Sequence, residues 1–321
     1  MTRISYHTSH EQHKPSDLLR YVQLAEKAGF NGAQSSDHFH PWNGEQGQSG
    51  FAWSWLGAAM QATSFVYGIV NAPGQRYHPA IIAQAAATLA EMFPERLWVA
   101  LGSGQALNEA ITGQKWPCKA DRNQRLKECV TIIRALWNGE TVTHKGLVEV
   151  EEARLYTLPA TPPMLVGAAI TEETAAWTGS WADALITVAQ PLPKLKRVID
   201  AFRNNGGGNK PMKLKVQLSY HPNVQFARQD AFEQWRSNIF GNAMLTELRN
   251  PAQFEQAAAF VKPEDLDGHV HISAAAQQHI DWLMQYAELG FDELILHNVN
   301  TDQETFIAIF GKEVLPALQR G

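Results

Sequence analysis

The chain has 321 residues, of which 45% are hydrophobic and 18% charged, and its formal net charge is −5. This composition excludes a disordered or fibrous chain, and without a long basic run it argues against nucleic acid, which leaves small molecules as the expected partners. The opening residues have no apolar signal core, no apolar stretch is long enough to span a membrane, and there are only two cysteines, so we expect a cytoplasmic protein without a membrane partner.

Short β-branched or aromatic runs alternate with longer stretches of helical periodicity along the chain. The predicted strands are 3–8, 32–36, 65–71, 96–101, 164–167, 184–187, 214–220 and 293–297. Helices are predicted between them, the first from Pro15 to Gly29, another from Pro79 and a third over 124–137.

Repeated strand-helix units of this number close most economically into a (β/α)8 barrel. We therefore predict an α/β fold, a TIM barrel that forms a single domain over 1–321. Two segments, about 141–158 and 241–267, break the repeat and are expected to be insertions at the barrel rim.

In a parallel barrel, functional groups lie on the loops that follow the carboxyl ends of the strands. The loop after the second strand holds Asp37, His38, His40 and Trp42, and the loop after the third holds Arg76. Arg76 is either an anion ligand or a solvated charge at the rim.

Two further loops are rich in small residues. Segment 102–109, after the fourth strand, places glycines before a helix, which lets the backbone approach a flat or anionic ligand. Segment 167–174, after the fifth strand, runs into a helix capped by Thr171, which suits either a phosphate or an ordinary helix start.

Three motifs together resemble the luciferase-like flavin and deazaflavin oxidoreductases. They are Ser-Asp-His-Phe-His-Pro-Trp at 36–42, Arg-Tyr-His-Pro-Ala at 76–80 and Gly-Ser-Gly-Gln-Ala-Leu-Asn-Glu at 102–109. The most similar branch is that of the coenzyme F420-dependent glucose-6-phosphate dehydrogenases. The resemblance implies hydride transfer between a cofactor ring and a small organic substrate, in a homodimer.

The same resemblance implies roles for individual residues. His38 would be the acid/base, Trp42 would wall the substrate side and Gln105 would lie beside the ring. The implied cofactor-binding residues are Asp37, Ile69, Val70, Ala72, Ser103, Gly104, Asn108, Gly167, Ala168, Ala169 and Ile170. A nonprolyl cis peptide bond is implied at Ile69–Val70, and no metal is implied.

Three departures from this branch bear on cofactor and substrate. Gln105 stands where the branch has a glutamate that protonates the ring, and because an amide donates only a hydrogen bond, it favours FMN over F420 and a sister group that uses an ordinary flavin. The basic residues that clamp the sugar phosphate find no counterparts at 188–191 or near Gly268, which argues against glucose 6-phosphate. The loop at 167–170 lacks paired glycines and is followed by Glu172 and Glu173, which weakens the expected phosphate contacts.

Two other functions remain as alternatives. The pairs His38-Phe39-His40 and His269-Val270-His271 suit a metal-dependent barrel hydrolase, because alternate residues of a strand face the same way. A flavin-binding protein without catalytic activity is the second alternative. Trp53 and Trp55 could line the pocket or belong to the core.

Overall fold

The fold is seen in a computed structural model, which describes residues 2–319. The strands are β1 (Arg3–Thr8), β2 (Gly32–Ser36), β3 (Val66–Asn71), β4 (Leu97–Leu101), β5 (Val142–Lys145), β6 (Glu149–Ala153), β7 (Met164–Ala168), β8 (Ala184–Val188), β9 (Met212–Tyr220), β10 (His271–Ser273) and β11 (Glu293–Asn298). The helices are α1 (Pro15–Ala28), α2 (Ala52–Ala62), α3 (Pro79–Met92), α4 (Ala106–Glu109), α5 (Lys119–Trp137), α6 (Glu172–Gly179), α7 (Leu192–Phe202), α8 (Val224–Trp235), α9 (Asn242–Glu247), α10 (Pro251–Ala257), α11 (Ala276–Ala287), α12 (Gln303–Ile309) and α13 (Leu315–Leu318).

The parallel strands close into a barrel with helices between them, so the predicted (β/α)8 fold is confirmed. Around the barrel the strands follow the order β1, β2, β3, β4, β7, β8, β9 and β11, and β11 pairs again with β1. Each of these strands matches a predicted one closely at both ends. The short strand β10 adds to β9 outside this closed ring.

The ends of the first helix follow from its sequence. Pro15 occupies the first turn, where its missing N–H costs nothing, and Gly29 follows the last turn with a φ of 98°. Glycine adopts this left-handed conformation readily, and its N–H donates to the carbonyl of Glu26 at 3.1 Å. The chain can therefore turn sharply into β2.

Helix α5 begins earlier than the apolar periodicity predicts. Its first turns contain Arg122, whose side chain is buried against Trp116 and bonds Glu247 at 2.9 Å. Because a buried arginine does not register as an apolar position, the pattern placed the start of the helix near residue 124.

The amino-terminal end of the barrel is filled by packed side chains. Trp98 lies inside the barrel with Val166 and Ile295, and a Cβ atom at Gly68 would lie 2.0 Å from Cζ2 of its indole. Lys213 lies 4.6 Å above the Trp98 ring. Because this end is closed, space for a ligand remains at the carboxyl ends of the strands.

The two predicted insertions have different structures. Segment 141–158 contains the antiparallel pair β5 and β6, and segment 241–267 contains α9 and α10. Phe254 of α10 packs edge-on against Trp42, with ring centroids 5.1 Å apart, so this insertion supports the rim of the barrel. Across residues 2–319, the helices are too short or too polar for one to cross a bilayer.

Candidate active site

A cavity of about 840 Å³ opens at the carboxyl ends of the barrel strands. The predicted residues that line it are Asp37, His38, Trp42, Val70, Ala72, Ser103, Gly104, Gln105, Asn108, Ala168, Ala169 and Ile170. Ile69 is buried within β3, and Gly167 packs beside Thr178, so these two residues stand behind the cavity wall.

Two of the predicted loops are bonded to each other across the cavity wall. The Asn108 side-chain oxygen accepts from the backbone N–H of Phe39 at 2.9 Å. Nδ1 of His40 lies 2.8 Å from the carbonyl oxygen of Leu107. The segment after β4 therefore fixes the position of the Asp-His turn after β2.

His38 lies between an indole and a carboxylate. Its ring centroid is 5.2 Å from that of Trp42, and its Nδ1 is 3.5 Å from Oε1 of Glu11. Burial lowers the pKa of His38, and Glu11 opposes this shift. The imidazole is therefore neutral at pH 7 and able to accept a proton.

Glu11, in the loop after β1, is a functional candidate that the sequence reasoning missed. Its Oε2 accepts from the hydroxyls of Ser36 at 2.6 Å and Ser9 at 3.0 Å. Burial alone would raise the pKa of Glu11, but His38, Ser36 and nearby cations outweigh it and lower this pKa to about 2. The polar run after the first predicted strand was the available signal, since it obeys the same strand-end rule as the other loops.

Arg76 is held by two carboxylates and does not project freely from the rim. Its NH2 group lies 2.8 Å from the carbonyl of Asp37 and 3.3 Å from Oδ2 of that residue, and its backbone N–H donates to Glu109 at 2.7 Å. Burial raises the pKa of Asp37, and Arg76 opposes this rise. Asp37 also accepts from the hydroxyl of Tyr77 at 3.1 Å, so it braces the turn that carries His38.

The predicted cis peptide bond at Ile69–Val70 is wrong, because the described residues contain only trans bonds. Ile69 and Val70 pair in unbroken register with β2 on one side and β4 on the other. Two regular parallel ladders require an extended trans backbone, which leaves no bulge at this position.

The cavity contains cations that were not expected. Lys215 projects from β9, whereas Lys119 and Lys194 lie exposed at the mouth. Nζ of Lys119 is 2.9 Å from the Ser103 hydroxyl. These lysines come from positions other than 188–191 and 268, so the lack of basic residues there does not make the cavity free of positive charge.

The cavity wall combines an apolar surface with several buried polar groups. Among the residues that line the cavity, several carry a buried polar atom without a hydrogen-bond partner within residues 2–319, for example Oδ1 of Asn71, Oγ1 of Thr187, Oε1 of Gln190 and Nδ1 of His297. Buried polar atoms are normally paired, so their grouping here indicates a ligand with several heteroatoms. Gly104 has a φ of 86°, and a Cβ atom there would lie 3.1 Å from Glu109, so glycine is needed for this loop.

The metal-site alternative finds no support in the geometry. The described part of the chain holds no group of three or more histidine, cysteine or carboxylate ligands. The His40 ring contacts Leu107, and the His271 ring stacks on Trp282 at 4.5 Å, so neither histidine pair converges on one point.

Both tryptophans of uncertain role belong to the core. Trp53 and Trp55 are buried in α2, and the indole N–H of Trp55 donates to the carbonyl of Pro15 at 2.9 Å. Neither residue lines the cavity.

Known proteins are similar to this chain over nearly its whole length. Residues 1–293 match the family described as luciferase-like monooxygenase, so the chain belongs to that family and is an oxidoreductase. It is 33% identical to the F420-dependent glucose-6-phosphate dehydrogenase of Microbacterium testaceum over 330 residues, which covers 99% of this chain and 98% of that protein. The corresponding enzyme of Beutenbergia cavernae is 31% identical, with the same coverage.

Solved structures give the same result. An F420-dependent secondary alcohol dehydrogenase in complex with an F420–acetone adduct is 31% identical, with a TM-score of 0.91 and 99% coverage of both chains. The coenzyme F420-dependent tetrahydromethanopterin reductase of Methanopyrus kandleri, 17% identical and covering 99% of both chains, shares the fold with a TM-score of 0.77. The predicted superfamily and branch are confirmed, whereas the expectation of FMN receives no support from these relatives.

Proposed function

We propose that the protein is an F420-dependent dehydrogenase of small alcohols, in which His38 exchanges the proton of the reacting hydroxyl group. The observation that carries this proposal is the neutral His38, held against an ionised Glu11 in the wall of a large cavity. The two groups of similar enzymes support it, because both are named as dehydrogenases that use F420.

The proton transfer follows from the environment of His38. When its Nδ1–H faces the Glu11 carboxylate, Nε2 carries the lone pair that accepts the substrate proton. The imidazolium that results is stabilised by the ionised carboxylate 3.5 Å away. When bound, the cofactor supplies the hydride acceptor or donor, and Trp42 excludes water on the substrate side.

Several residues would hold the cofactor. The backbone at Ser103 and Gly104 and the small residues 168–170 form a narrow part of the cavity, and Lys119 beside Ser103 suits the phosphate of the tail. Gln105 would donate a hydrogen bond to the ring. A cytoplasmic homodimer is part of the proposal, and it rests on the family resemblance and composition alone.

The proposal is tested by titrating the protein with F420 and with FMN, then adding 2-propanol and following the cofactor absorbance. We expect F420 to bind more tightly than FMN and to be reduced by the alcohol. His38→Asn should keep F420 affinity within about tenfold and lose about 10²–10⁴-fold in turnover, the usual contribution of general acid–base catalysis.

The matched control is His78→Asn, because His78 caps α3 away from the cavity and asparagine is also a good helix cap. It should leave both affinity and turnover unchanged. Binding of FMN alone would contradict the cofactor assignment. Cofactor binding without reduction by alcohols or other reductants would favour a non-catalytic flavin-binding protein, and full turnover of His38→Asn would remove His38 from the mechanism.

A further inference from the structure

Two lysines of β9 point into the barrel, and they have different surroundings. Lys213 lies in the closed end, where its Nζ is 2.5 Å from Oε2 of Glu293. Lys215 follows two residues later on the same face and lines the cavity. The shortest polar contact of its ammonium is Nε2 of His7, at 3.5 Å.

The charge of Lys215 lacks a contact ion pair. Throughout residues 2–319, no carboxylate oxygen approaches its Nζ within the 4.0 Å limit of a salt bridge. Because Nδ1 of His7 is 2.7 Å from Oε1 of Gln34, that nitrogen carries the ring proton and Nε2 accepts from the ammonium. An ammonium has two further N–H donors, and these have the cavity in front of them.

The neighbouring carboxylate is already engaged. Glu11 accepts from Ser36 and Ser9 through one oxygen and faces His38 with the other. A cation removed from bulk water is costly unless it is paired at close range. The ammonium group of Lys215, at the bottom of the cavity, is therefore complementary to an anionic group of a ligand.

We propose that Lys215 is a specificity-determining residue that binds a carboxylate of the substrate, so that small hydroxy acids and their oxo-acid counterparts bind more tightly than the matching neutral alcohols and ketones. This inference rests on the proposed dehydrogenase function and names the substrate class of the same cavity. Lys215 and His38 line the same cavity, so a substrate whose carboxylate binds Lys215 has its hydroxyl-bearing carbon in the cavity that also contains the proton acceptor.

The protonation of Lys215 gives the subsite a defined pH range. Burial lowers the pKa of Lys215 to about 8, and Glu11 opposes this shift. The other titratable groups that face it change little above neutral pH: the pKa of Glu11 is about 2, and burial lowers those of His7, His38 and His297. Carboxylate affinity should therefore weaken by about tenfold per pH unit above pH ~8.

The test compares pyruvate with acetone, which differ by the carboxylate. Binding is measured by calorimetry and by tryptophan fluorescence, because the Trp235 ring lies 6.0 Å from Nζ of Lys215. Lys215→Met should weaken pyruvate binding at pH 7 by about tenfold or more, the usual scale of a charge-assisted hydrogen bond, and leave acetone binding within about twofold.

Lys194→Met is the matched control, since Lys194 lines the same cavity but lies exposed at its mouth. It should change pyruvate affinity by less than about twofold, because exposed charges are screened by solvent and salt. Lys215→Gln, which keeps a hydrogen-bond donor without the charge, is the second variant, and the melting temperatures of all variants establish that they fold.

Equal pyruvate affinity in the wild type and Lys215→Met would overturn the proposal. Weaker binding of F420 to Lys215→Met in the absence of substrate would also overturn the proposal, because the cofactor would then occupy the space beside Lys215. The calorimetric titration is made with and without F420, so pyruvate binding is measured even if the protein does not bind F420 or oxidise 2-propanol. Failure of the dehydrogenase function is therefore separable from failure of the carboxylate subsite.

Discussion

Glu11 is the residue through which the first barrel loop contacts His38, the proposed acid/base. It is buried, ionised and fixed by two serine hydroxyls, so its charge has a defined position relative to the imidazole. Among the groups around His38, Glu11 is the main one that raises its pKa against the effect of burial. In the proposed mechanism, Glu11 is therefore a positioning residue that makes His38 a stronger proton acceptor.

Replacing Glu11 by glutamine keeps a side chain of the same shape but removes its charge. The pKa of His38 should fall, so the acidic limb of the kcat/KM profile moves to lower pH and its plateau drops by about 10²-fold, within the range of general-base effects. The measurement is the pH–rate profile with 2-propanol. Glu91→Gln, on the exposed surface of α3, is the control and should leave the profile unchanged. A lower plateau with an unshifted limb would assign Glu11 a purely structural role.

Several residues that line the cavity were predictable from sequence motifs, and others were not. Asp37, His38, Trp42 and Asn108 lie in motifs at strand ends, and all of them line the cavity. Lys215 was missed because the search was confined to the loops that follow the strands, whereas Lys215 lies within β9. In a barrel the helices cover the outside, so the polar positions of this strand point inward, towards the axis.

At the scale of elements, the packing of β3 beside β4 depends on the close contact between Gly68 and the Trp98 ring. A Cβ atom at Gly68 would overlap the indole of Trp98, which itself packs beneath Lys213. Gly68→Ala should therefore destabilise the protein by about 1–3 kcal/mol, the usual cost of overpacking a core. Urea unfolding followed by far-UV circular dichroism measures this difference.

The control for Gly68→Ala is Gly57→Ala in α2. A Cβ atom there would come no closer than 3.9 Å to Leu89, and alanine favours a helix by about 0.5–1 kcal/mol over glycine. Gly57→Ala is thus expected to be neutral or stabilising. Equal stability of the two variants would mean that the Trp98 ring moves aside at little cost.

Most strand positions were predictable because most barrel strands are short runs rich in β-branched or aromatic residues that alternate with longer stretches of helical periodicity. The early start of α5 was not, because Arg122 is buried through contacts with Trp116 and Glu247, which are not adjacent in sequence. The partners of Arg76 were not predictable for the same reason, because Asp37 lies after β2 and Glu109 lies at the end of α4.

At the scale of the whole molecule, barrel closure creates the floor of the site. His7, Glu11, Lys215 and His297 come from β1, the loop after it, β9 and β11, and all four line one cavity. The sequence predicts these strands, but no local sequence pattern indicates which of their side chains meet across the barrel axis. The rings of His7 and His297, 4.2 Å apart, are an example of such a contact.

This concentration of buried histidines predicts loss of stability in mild acid. Burial lowers the pKa of His10 and of His13 to about 4, and lowers those of His7 and His297 well below the ordinary value. The unfolded chain binds protons at these sites from pH ~6.5 downward while the folded chain does not, so acid favours unfolding. Each such histidine removes about 0.7 kcal/mol per pH unit at pH 6.5 and up to about 1.4 kcal/mol per pH unit near pH 5.

The free energy of unfolding in urea, measured between about pH 7 and pH 5, should therefore fall by about 4 kcal/mol in total from His10 and His13 alone, most steeply near pH 5. Glu11 does not oppose this fall, because its stabilising charge is lost only as the pH drops from its unfolded pKa of 4.5 towards about 2. His13→Phe should reduce this fall by about 2 kcal/mol over the same range, since up to one proton fewer is taken up on unfolding. Stability that stays constant from pH 7 to pH 5 would mean that these histidines are charged in the folded barrel.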